Sequence, residues 1–206
     1  MYRVDLETGE AEAILTRRAW IRYARLSPDG KRIVFAMPHE TQDYYGGSIY
    51  TLPAEPGATP VLLRHEPTEQ FDGPSWSPDG RLVAFVSVSI NQKEKIGRVL
   101  VTPVDGGEPK EVARHTLEEG GSIEFTAWSP SGTHILYSLQ REAWRVSAQG
   151  GEPEHLVELD EFNPHHFIFT ADGKTLLFTG TQGGSNPRAW ALKNFLPDSA
   201  DDASGQ

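Results

Sequence analysis

The 206-residue chain has no cysteine, which excludes disulfides and thiolate metal centres and suits a reducing or an oxidising compartment equally. No apolar run approaches membrane-spanning length, and the opening MYRVDLETGEAEAIL lacks a basic region followed by an apolar stretch. Membrane insertion and an export signal are therefore not expected in the chain as written. Its location stays open, periplasmic if a full-length protein carries a signal peptide and cytoplasmic otherwise. Basic charge is also scarce: 19 Lys and Arg against 29 Asp and Glu leave a net charge of −10, which argues against nucleic acid or an anionic membrane as partner and favours solubility. Catalytic signatures are missing as well. Gly46-Gly47-Ser48, Gly120-Gly121-Ser122 and Gly183-Gly184-Ser185 lack the trailing glycine of a nucleophile elbow. No glycine-rich stretch runs into Lys-Ser or Lys-Thr, and helical periodicity is absent throughout. Neither a catalytic residue nor a cofactor is expected.

What the chain does contain is repetition. SPDG at 27–30 returns at 77–80, as SPSG at 129–132 and as TADG at 170–173. Proline pre-sets the turn, Asp29 and Asp79 bond to the local backbone, and glycine supplies a left-handed residue, so each copy predicts a three-residue hairpin. That backbone duty explains Asp29 without a metal. Each turn leads into an apolar strand (KRIVFAM, RLVAFVS, THILYSL, KTLLFTG) whose consecutive apolar positions predict burial on both faces. Leu26, Trp76, Trp128 and Phe169, just ahead of the turns, are expected as core wedges. A second hairpin alternates with the first, as VDLETGEAEAIL, LPAEPGATPVLL, TPVDGGEPKEVA and VSAQGGEPEHLV. Together they give four strands per unit, A to D from the inside out, at a period that points to propeller blades.

The SPDG turn, its basic residue, the IVF- or VAF-like strand and the GGEP hairpin resemble the repeat of TolB-type β-propellers over residues 1–197. The resemblance implies an all-β propeller with four-stranded antiparallel blades: a partial blade at 1–20, blades at about 21–68, 69–117 and 118–160, and a partial blade at 161–197. A disordered acidic tail is expected at 198–206. Because both ends offer a strand C (Tyr2 and Trp190 stand where Trp144 does), the chain is expected to be an open arc, the C-terminal part of a longer propeller of six or more blades, with Met1 an internal or misassigned start. Such an arc leaves faces around Ile33, Val34 and Phe35 and around Leu176, Leu177 and Phe178 open to self-association.

Similar repeats serve as the non-catalytic propellers of proteases, and some propeller lyases hold a metal through histidines. His65 and His115 end equivalent D strands, and His134 lies at an ordinary strand B position. His165 and His166 enter an innermost strand, where one imidazole can face the central channel. Adjacent strand residues point oppositely, so a metal is not expected there. Long B-to-C loops at 37–47 and 89–97, with the D-to-A loops, mark one face for binding. Tyr44, Tyr45, Phe71 and Phe162 lie in or beside them, as contacts for a peptide or sugar or tucked beneath their own loops. The binding candidates are therefore Tyr44, Tyr45, Phe71, Phe162 and His165. The implied function is a non-enzymatic scaffold or binding module for protein or peptide partners. Its alternatives are the substrate-gating propeller of a protease and part of a histidine-metal lyase.

Overall fold

The computed structural model describes residues 1–16, 20–38, 47–89, 95–118, 121–159, 162–170, 175–182 and 188–193. Strands β1 (Tyr2–Val4) and β2 (Ala11–Ala13) form a two-stranded sheet. The first full sheet holds β3 (Arg22–Leu26), β4 (Arg32–Pro38), β5 (Gly47–Pro53) and β6 (Val61–Arg64). The second holds β7 (Glu69–Trp76), β8 (Leu82–Ser89), β9 (Lys95–Pro103) and β10 (Lys110–Leu117). The third holds β11 (Ile123–Trp128), β12 (His134–Leu139), β13 (Glu142–Ser147) and β14 (Glu154–Glu158), and the last holds β15 (Phe162–Phe169), β16 (Thr175–Gln182) and β17 (Arg188–Lys193). Every sheet is an antiparallel meander in chain order. The first strand of each full sheet packs on the first strand of the next, β3 on β7, β7 on β11 and β11 on β15. This is the all-β propeller arrangement, and no helix occurs among the described residues.

The repeated turn forms for a reason that the serine explains. Ser27 Oγ donates to Asp29 (2.6 Å) and accepts the Arg32 N–H (2.9 Å), while the Ser27 N–H donates to the Arg32 carbonyl (2.7 Å). Because the hydroxyl replaces a carbonyl as acceptor, the loop holds four residues, 28–31, rather than the expected three. Ser77 repeats the pattern with Asp79 and Leu82, and Ser129 and Thr170 accept from His134 and Thr175. The Ser27 hydroxyl, followed by the Lys31 N–H, holds the Asp29 carboxyl below its ordinary range.

Between turns, the apolar strands are buried on both faces, as expected. In β4, Val34 and Ala36 face the second sheet with Ile49, Phe71, Trp76 and Phe85. Ile33, Phe35 and Met37 pack on the other side with Ile14 and Leu15, the residues that follow β2. Val86, Val99, Trp128, Ile135 and Tyr137 join the second and third sheets, and Leu136, Ala143, Phe167 and Phe178 join the third and last.

Three expectations are corrected here. Leu26 is 59% exposed: Trp76 is closed over by the Arg25 carbonyl of the preceding sheet (Nε1–H···O 3.0 Å), whereas Met1, Ile14 and Leu15, which flank β1 and β2, pack with Ile33 and Phe35 but not with Leu26. The face around Ile33, Val34 and Phe35 is buried, because Ile14 and Leu15 cover one side and the second sheet the other. In the last sheet, Leu176 and Phe178 point into the third, leaving Leu177 and Ile168 exposed on the opposite face. A strand alternates faces, so a run of apolar neighbours never lies on one side.

Candidate functional site at the axial end of the inner strands

Counting back five residues from Ser27, Ser77, Ser129 and Thr170 gives Arg22, Asp72, Glu124 and His165. These occupy the same level of four successive inner strands, close to the end where the β4–β5 and β8–β9 connections leave. Each inner strand carries a register irregularity at this level. In the first three, the next residue has positive φ: Tyr23 at 53°, Gly73 at 53° and Phe125 at 50°. A bulge turns side chains that would otherwise join the sheet ladder towards the neighbouring strands.

The result is a junction of three blades. Arg22 Nη1 lies 3.1 Å from Asp72 Oδ2, joining the first and second full sheets. The Tyr23 ring meets the Phe125 ring edge-on with centroids 5.1 Å apart, joining the first and third. Below them Thr126 Oγ1 donates to the Gly73 carbonyl (2.8 Å) and lies 2.6 Å from Ser75 Oγ, tying β11 to β7 through buried hydroxyls. The Arg22 guanidinium is 5.9 Å from the Tyr23 ring centroid.

The electrostatics set Asp72 apart. Burial raises its pKa to about 6, and nearby Glu124 adds to the rise; Arg22 and the Gly73 N–H (3.0 Å) pull the other way without overcoming it. Tyr23 is pushed up to about 12, chiefly by burial and then by Asp72 and Glu124. A desolvated carboxylate, an arginine and two aromatic rings brought to one level by three strands make this the candidate site.

The residues singled out from sequence fare differently. Tyr44 and Tyr45 lie outside the described residues. Phe71 is a core residue, 2% exposed, with its ring 5.3 Å from Phe85 in an edge-on contact, because its side chain points into the interface of the first two full sheets. Phe162 is half-buried against Phe178, centroids 5.5 Å apart. His165 belongs to β15 at its bulge, and its side chain lies outside the described residues.

His65, His134 and His115 have structural partners. His65 Nδ1 lies 2.9 Å from Ser48 Oγ, and His134 Nδ1 2.9 Å from Thr133 Oγ1. His115 Nε2 reaches across sheets to the buried Tyr137 hydroxyl (2.8 Å), and burial lowers its pKa and raises that of Tyr137. Among the described residues, no three His, Cys, Asp or Glu stand where they could hold one metal ion.

No family model matches the chain. It is 28% identical over 160 residues to the uncharacterized peptidase YuxL of Bacillus subtilis (strain 168), a match covering 73% of this chain and 22% of that protein. Among solved structures it is similar to TolB from Acinetobacter baumannii, with TM-score 0.73 and 19% identity over 94% of this chain and 46% of TolB. It is also similar to an oligogalacturonate lyase in complex with manganese, with TM-score 0.67 and 17% identity over 96% of this chain and 54% of the lyase. The fold is thus a TolB-like β-propeller. The chain spans under a quarter of the peptidase and about half of each solved neighbour.

Proposed function

We propose that this TolB-like propeller is a non-enzymatic scaffold that binds a protein or peptide at the end of the inner strands where the long B-to-C connections leave. The observation that carries this reading is the Arg22–Asp72–Glu124 level. Three consecutive blades deliver ionisable side chains to one place near that face, on strands fixed by buried packing on both sides. Rigid blades that hold polar groups beside long connections suit recognition, because little order has to be imposed on binding. The opposite end carries the SPDG turns, whose polar groups are consumed by their own backbone.

Selection of a displayed peptide library on the immobilised chain tests this. Selected peptides should lose binding at least tenfold on Glu124→Lys and keep it on Asp105→Lys, which alters an exposed carboxylate at the SPDG end. Peptides that respond to Asp105→Lys and ignore Glu124→Lys would reject the face. A second reading is favoured by the likeness to the Bacillus subtilis peptidase: the chain is then the non-catalytic propeller of a hydrolase, and the same face screens substrates. Cleavage of the selected peptides by a hydrolase found together with this propeller would favour it.

A further inference from the structure

The Arg22–Asp72–Glu124 junction contains more than a docking surface requires. Of the elements packed on β7, β3 supplies Arg22, Tyr23 and, nearer its turn, Arg25, and β11 supplies Glu124. β8 carries no ionisable side chain, β4 only Arg32 at its far end, and β5 only the Tyr50 phenol. Among the described residues, the charges that act on Asp72 are the Arg22 cation of one blade and the Glu124 anion of another, and its side chain is 18% exposed. Its Oδ1 accepts the Gly73 N–H while its Oδ2 faces Arg22, so both oxygens are committed as acceptors while the group is ionised.

We propose that this junction is a proton-operated switch: one proton taken up at Asp72 removes the charge pairing between the inner strands β3 and β7 and releases Arg22 from its counter-ion. The protonated carboxyl turns from acceptor into donor, and the repulsion between it and the Glu124 carboxylate of the third blade is lost with its charge. The inner end of the propeller becomes one unit less negative, and Arg22 is left without its partner. The cluster sits where the docking face is placed above, but the switch itself is a property of the fold and stands independently of that role.

The direction of its linkage to stability is fixed. The folded carboxyl titrates near 6 and the unfolded one near 3.8, so the native state binds the proton more tightly. Stability then rises as pH falls through 6 and reaches its full gain below 3.8. Between pH 7.5 and pH 5 the contribution of Asp72 is about tenfold in the folding equilibrium constant.

Urea unfolding at both pH values, with the wild type and three variants, tests the proposal together with carbon-detected titration of the Asp72 carboxyl. Asp72→Asn should remove the tenfold gain. Glu124→Gln should shrink it by removing the repulsion, and Arg22→Gln should enlarge it by removing the attraction. The carboxyl should titrate well above the ordinary aspartate range. A gain that persists in Asp72→Asn, a Glu124→Gln profile identical to wild type, or an Asp72 carboxyl that titrates near 4 would overturn the switch. If Asp72→Asn fails to fold, the other two variants and the titration decide. None of these readouts depends on a partner, so a failed peptide selection leaves them untouched.

Discussion

Replacing Gly73 with alanine isolates the contact on which the three-blade junction rests. A left-handed φ is not by itself the reason for glycine at this position, since Tyr23 and Phe125 adopt nearly the same φ at the same level with full side chains. The reason is space: a Cβ on Gly73 would stand 2.6 Å from Phe125 Cα and 2.7 Å from its nitrogen, closer than non-bonded carbon atoms approach. The obstacle is backbone, so β7 and β11 must separate. Gly30 is the natural control, because it also has positive φ (72°) but a Cβ there meets nothing within 4 Å. Gly30→Ala should cost about 1 kcal/mol, the penalty of a left-handed alanine. Gly73→Ala adds an overpacking penalty of about 1–3 kcal/mol to a similar backbone cost, for a total of about 2–4 kcal/mol. Urea unfolding of both variants, with unchanged slope as the check on two-state behaviour, gives the difference directly. Equal costs for the two substitutions would show that β7 and β11 do not approach closely, and the junction as described would be wrong.

Trp128→Ala should destabilise by about 3–5 kcal/mol, as large core truncations do. Leu26→Ala, at the equivalent strand end but 59% exposed, should cost less than about 0.5 kcal/mol; a reversed order, read by denaturant unfolding, would contradict the burial assignments. Dialysis against a chelator should leave the melting temperature unchanged, and a drop restored by one divalent ion would point to a metal site outside the described residues.

The fold was legible from the sequence because its punctuation is local. Ser27 and Ser77 with Pro, Asp and Gly specify a turn through bonds within five residues, and Val34 to Ala36 or Val83 to Phe85 declare a doubly buried strand by being apolar on both faces. Burial at particular strand ends was harder to read. Trp76 and Leu26 hold the same place in their repeats, and only what the preceding sheet lays over them separates core from surface. Phe71 is hard to place from sequence because its polar neighbours suggest a loop and leave contact and burial both open, whereas β7 begins at Glu69 and sends Phe71 inward. Asp72 beside it carries no local signal, since its significance comes from Arg22, fifty positions earlier. A signal did exist. Aligning the four repeats on their turn serine or threonine brings Arg22, Asp72, Glu124 and His165 into one column, all ionisable in a strand that otherwise supplies core. What no alignment of repeats reveals is that the bulges turn this column into a contact between blades.

All of this depends on successive inner strands meeting side by side, and the absence of native cysteine makes that directly measurable. Ser75 Oγ and Thr126 Oγ1 lie 2.6 Å apart on β7 and β11, fifty-one residues apart in sequence. In the double variant Ser75→Cys/Thr126→Cys, mild oxidation should leave no titratable thiol, and proteolysis should release the two segments as one disulfide-linked peptide. Two free thiols and separately released segments, in a protein that still shows the wild-type strand spectrum, would mean that β7 and β11 are not neighbours and that the blades do not stack in the order described.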